Sequence, residues 1–196
     1  MNIGKKALLA LIATALTSAT AFADIDGGSG KITFTGEVIE SPCSIKAEDV
    51  DKKVPLGQVP ATYINTNGHS DPVDSSIHLI NCDLPSSDNG SGSPITKVDV
   101  TFTSTAVTTE GIPLLSNTVA DGATGVGVRL MDGEGENITL GTAKSLTLIQ
   151  ASSEQTLQFQ AQMELVDASA KGDTSSPNKA TPGAVSANAT YVLMYK

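Results

Sequence analysis

Hydrophobic and polar positions alternate along much of this chain. In TLQFQAQMELV, residues 156–166, Leu157, Phe159, Ala161, Met163 and Leu165 alternate with Gln158, Gln160, Gln162 and Glu164. Successive side chains of an extended strand point to opposite faces, so the segment predicts a strand with one buried and one wet face. ITKVDVTFT, 95–103, repeats the pattern with Val98, Val100 and Phe102, and GVGVRLMD, 125–132, with Val126, Val128 and Leu130. In KITFTGEVI, 31–39, Ile32, Phe34 and Val38 share a face, while SIHLINC, 76–82, is a short apolar run closing on Cys82. The final stretch, GAVSANATYVLMYK, 183–196, places Val185, Ala187, Ala189, Tyr191, Leu193 and Tyr195 on one side.

Gly-, Pro- and Asn-rich stretches separate these runs: DNGSGSP at 88–94, DGEGEN at 132–137 and SSPNKATPG at 175–183. Such residues punctuate strands with turns. No stretch sustains a helical period, and short helical turns are expected only near VPATYI, 59–64. Many short strands with strict alternation predict an all-β, antiparallel sandwich or barrel. The chain has no Trp, which excludes an antibody-type core with a Trp on its disulfide. No internal repeat is visible.

Residues 1–23 do not fit this scheme. Lys5 and Lys6 precede an apolar run at 7–16, and Ala21-Phe22-Ala23 supplies a small-x-small cleavage signal. This reads as a secretory signal peptide with Asp24 as the mature start. The 173 residues left suit one domain. Both lysines leave with the signal, so the mature chain carries 10 basic against 21 acidic residues, a net charge of −11. That balance argues against nucleic acid or an anionic membrane as a partner.

Export changes the reading of Cys43 and Cys82. In an oxidising compartment a pair of cysteines defaults to a disulfide. The alternative, a two-thiolate metal site, needs further ligands, and only His69 and His78 are on offer. Other candidate chemistry is thin. GGSGK, 27–31, lacks the Gly and the Ser or Thr of a phosphate loop. Asp132, Glu134 and Glu136 are close but lack the calcium loop's length and distant Glu, so a hairpin turn is the better reading. Asn89, Asn137 and Asn188 sit in N-x-S/T triplets, read as accidental in a bacterial product. Neither GxSxG nor HExxH occurs, and His69 and His78 read as structural. No catalytic residue, metal or cofactor is expected, and the chain is not expected to be an enzyme.

Taken together, the motifs resemble the pilins of chaperone–usher fimbriae, closest to type 1 and P-pilus rod subunits of Gram-negative bacteria. A signal and a Gly-rich leader precede GKITFTGEVIESPCSI, with Gly36 after Phe34 and an early Cys43. Cys82 follows an apolar strand, Tyr195 is second from the end, and Gly183 is fourteenth from it. The resemblance implies an incomplete immunoglobulin-like sandwich lacking its last strand, completed in trans by a donor strand. It divides the chain into the signal, 1–23, a donor extension, 24–35, and a pilin domain, 36–196. Gly28, Gly30, Ile32 and Phe34 are the expected donor contacts. Gly183, Val185, Ala187, Ala189, Tyr191, Leu193 and Tyr195 are expected to form the strand beside the groove, where a chaperone also binds. The implied partners are further copies of this chain, a periplasmic pilus chaperone, an outer-membrane usher and other pilins of the same fimbria. The implied location is the cell surface, reached through the periplasm. The implied role is a structural subunit, the major rod pilin; the alternative is a minor adaptor, tip pilin or adhesive subunit.

Overall fold

The computed structural model describes residues 30–85, 92–109, 113–173 and 175–196. The expected signal peptide, Gly28 and Asn89 lie outside them. The alternating runs become strands: β1 (Ser44–Ile45), β2 (Val73–Asp74), β3 (Ile77–Ile80), β4 (Lys97–Thr103), β5 (Leu115–Ser116), β6 (Val126–Asp132), β7 (Ala143–Thr147), β8 (Gln155–Leu157), β9 (Phe159–Leu165) and β10 (Thr190–Tyr195). Two short helices, α1 (Ala47–Val50) and α2 (Ala61–Asn67), lie between β1 and β2. The second arises where helical turns were expected. It ends because Gly68 adopts a left-handed φ of 89° and returns its N–H to Ile64 O at 2.7 Å, a glycine stop.

Every strand pairing is antiparallel. One layer has the order β10-β4-β7. The other consists of β1-β3-β8 and β2-β9-β6-β5, which run into each other. Val73 faces Ala161 and Ile77 faces Leu157, so the numbers of facing residues add to the same total in both ladders. Ser75 N also donates to Phe159 O at 2.9 Å across the gap. The second layer is therefore one long sheet folded onto the first. Val98, Val100 and Phe102 from β4 meet Ile77, Leu79, Leu157 and Phe159. The rings of Phe102 and Phe159 sit edge to face, 4.9 Å apart. The result is the two-layer, all-β sandwich that alternation predicts.

Two expectations need correction. GVGVRLMD was expected to have a wet face, but Arg129 and Met131 are buried as well as Val126 and Val128. Leu114 lies over Gly127, and Arg129 forks onto Glu164 of β9, Nε to Oε2 at 3.0 Å and Nη2 to Oε1 at 2.6 Å. A bidentate pair of this kind gives the buried guanidinium its counter-charge, although Nη1 has no hydrogen-bond partner among the described residues. KITFTGEVI forms no strand, because a strand needs a neighbour to share its main-chain hydrogen bonds. Ile39–Lys196 makes up one compact unit, and the described residues 30–38 fall outside it.

Cys43 and Cys82 are joined, with Cα atoms 4.1 Å apart. The bridge ties the chain just before β1 to the chain just after β3. The turn at 132–137 is organised by the buried Asp132, whose carboxylate accepts from Glu136 N at 2.8 Å, Glu134 N at 3.1 Å and Lys144 Nζ. The acidic run thus spends one carboxylate on turn formation.

Candidate functional site: an apolar groove beside the last strand

β10 is an edge strand. On one side Tyr191 faces Phe102, Leu193 faces Val100 and Tyr195 faces Val98 of β4. Its other edge has no strand partner among the described residues. Tyr191, Leu193 and Tyr195 turn inward against the main core, while Val192 and Met194 stay exposed.

The chain before β10 behaves differently from a continuous strand. Residues 183–189 leave β4 and run past the loop at 117–123. Thr118 N donates to Ser186 O at 2.8 Å, and Ala123 N donates to Ala184 O at 3.0 Å. The Asn117 amide completes the match, donating to Ala184 O and accepting from Ser186 N, both at 2.9 Å. Alternation survives here without a sheet: Val185 and Ala187 are half-buried against the smaller core clusters, but Ala189 is exposed. At Gly183 a Cβ would lie 2.3 Å from Ala123 N and 2.6 Å from Gly122 C. Two backbones touch there, so only glycine fits. Gly183→Ala is expected to cost about 1–3 kcal/mol by overpacking, read as a lower urea midpoint. Gly36→Ala, where a Cβ meets nothing within 4 Å, is the control. Equal midpoints for the two variants would contradict the close approach.

Opposite this segment, Ile45 and the stretch from Val50 to Ala61, which links α1 to α2, form a second wall. Between the walls lies an open groove of about 1560 Å³. Its floor is apolar: Phe102, Leu115, Val126, Val128, Leu130 and Met163. The groove therefore combines an apolar floor with a strand edge that has no strand partner among the described residues, a combination that invites another chain.

Asp49 of α1 holds the second wall in place. It is 1% exposed, and its carboxylate accepts from Lys52 Nζ at 2.6 Å, His78 N at 2.7 Å and His78 Nδ1 at 2.8 Å. A carboxylate can only accept, so Nδ1 carries the proton. Burial pushes the Asp49 carboxyl up, but Lys52 and the His78 donors outweigh it and hold it below the ordinary carboxylate range. Tyr191 Oη donates to Asp49 O at 2.8 Å. Sequence reasoning missed Asp49. It sits among charged residues at no apolar period, and its partners other than Lys52, namely His78 and Tyr191, are 29 and 142 positions away.

The expected donor residues lie apart from this geometry in sequence. Among the described residues, Ile32 is 77% and Phe34 89% exposed. Of the groove-side residues, Gly183, Val185, Ala187, Ala189 and Tyr191 line the cavity, whereas Leu193 and Tyr195 pack against the main core cluster. His69 Nδ1 meets Ser70 O at 2.8 Å, and His78 is spent on Asp49.

A family model described as fimbrial protein matches residues 32–196. The chain is 56% identical to the uncharacterized fimbrial-like protein YbgD of Escherichia coli K12, over 98% of each chain. It is 30% identical to the Pap fimbrial major pilin protein of Escherichia coli, over 88% of this chain and 86% of that one. A chain from the structure of a chaperone–usher pilus superposes with a TM-score of 0.68 at 28% identity, covering 88% of this chain and 99% of that one. A sandwich of this topology, with these relatives along its whole length, defines a class of surface-exposed structural subunits, not enzymes. The chain belongs to the fimbrial pilins of the chaperone–usher type, and it assembles with other pilins into a pilus.

Proposed function

We propose that this chain is the major rod subunit of its fimbria and that it polymerises by donor-strand exchange. The extension 24–35 of one copy fills the groove in the pilin domain, 36–196, of the next. One observation carries the reading: the groove is open and apolar-floored, and it leads to a strand edge with no strand partner among the described residues. An inserted strand gains main-chain hydrogen bonds along the wall from Gly183 to Tyr191, which leads into β10, and sends alternate side chains into the floor, the mode of β-strand addition. The exposed Ile32 and Phe34 supply such side chains. Donor and groove are different segments of the chain, so the contact is heterologous and builds an open filament.

Before assembly the same groove is an aggregation hazard. A periplasmic chaperone lending a strand, exchanged at an outer-membrane usher for the next subunit's extension, answers that hazard. The residues 1–23 then direct export to the periplasm. The likeness to the Pap major pilin over most of its length supports the rod position. Immunogold electron microscopy with an antibody to this chain tests it. Label along whole filaments is expected. Label confined to tips would move the subunit to the adaptor or tip position, and unlabelled filaments would remove it from the fimbria altogether.

A further inference from the structure

We infer that Tyr191 and Asp49 form a cross-tie that ends the groove and sets the register of the strand that fills it. The inference rests on the donor-strand reading of the groove. Along the first wall the lining runs from Ala180 to Tyr191 and goes no further. Leu193 and Tyr195, next on the same face, pack against the main core, as Tyr191 also does, but do not line the groove. On the second wall the lining resumes at Val50, immediately after Asp49. At this end the Tyr191 hydroxyl joins the two walls through the 2.8 Å hydrogen bond to Asp49 O.

The tie has a firm anchor. Asp49 is fixed to β3 through His78, and Lys52, which holds its carboxylate, also donates to Ser76 O at 2.6 Å. The carbonyl that receives Tyr191 is thus held by its own residue's side chain.

Such a stop is needed because the rest of the groove is periodic. Sliding a strand by one residue turns its apolar face outward, so slips occur in steps of two. Each step is roughly 7 Å and recreates the same main-chain bonds. An apolar floor of aliphatic residues discriminates weakly between such registers. A polar tie across one end is not periodic, and it selects one. Packing alone does not require the hydroxyl, since Phe would fill the same space. The Tyr191 Oη is therefore a register-determining group.

The test uses the full chain with an excess of a synthetic peptide of residues 24–38 carrying a photoreactive p-benzoylphenylalanine in place of Phe34. After irradiation, mass spectrometry maps the cross-linked positions. Wild-type chain is expected to give one set of adducts. Tyr191→Phe, and independently Asp49→Asn, are expected to give a second set displaced by two residues toward Leu193. A stability effect alone would lower yield without moving the positions. Peptide bound in one unchanged register in both variants overturns the inference. Absence of any adduct with the wild-type chain overturns the donor-strand reading, and the inference falls with it.

Discussion

A chain lacking residues 24–34 is expected to fold normally and to leave the cell surface without filaments. The deletion lies outside the compact unit Ile39–Lys196, which contains the disulfide and every described strand. Every buried residue among the described ones belongs to that unit. Assembly loses its donor. Ile32 and Phe34 keep most of their surface in water within the single chain, and burying side chains of this size yields about 1.5–3 kcal/mol each. The two together correspond to roughly two to four orders of magnitude in association, before any main-chain bonds along the groove wall. Filaments would be counted by electron microscopy. Circular dichroism and an intact disulfide in periplasmic extracts would confirm that the subunit still folds. Filaments of normal number and length from the deletion would refute the donor role.

Cys82→Ser is expected to be the most damaging single substitution in the folded unit. The two cysteines are 39 positions apart, and closing a loop of that size stabilises a fold by about 4 kcal/mol. A whole domain has only about 5–15 kcal/mol to lose. The closed loop also holds Ile45, Asp49 and the stretch from Val50 to Ala61, so one entire wall of the groove hangs from the bridge. The expected result is a large fall in urea midpoint that matches the wild-type chain after reduction. A midpoint equal to that of the oxidised wild-type chain would show that the strand pairing of β1 with β3 holds this wall unaided.

Much of the sandwich is legible in alternation because burial of one sheet face needs only period two. Leu157, Phe159, Ala161, Met163 and Leu165 are each at most 5% exposed, as their spacing predicts. The same rule failed at KITFTGEVI, where the pattern is present but no strand among the described residues pairs with it. At β6 it gave only half the answer, because Leu114 and Glu164, distant in sequence, cover the second face. The last stretch is intermediate. Its alternation is sound from Tyr191 to Tyr195, where the chain pairs with β4, but Ala189, just before that strand begins, is exposed.

The sequence by itself determined the all-β class, the apolar face of each long strand, the cysteine pair and the resemblance that placed the chain among pilins. These follow from residue type and near-neighbour spacing, which act before any tertiary contact exists. Only the tertiary structure decided where the groove opens, that it closes at Tyr191, and that a buried Asp49 holds its wall. Those features depend on contacts between residues tens to more than a hundred positions apart, and no local pattern encodes such a meeting.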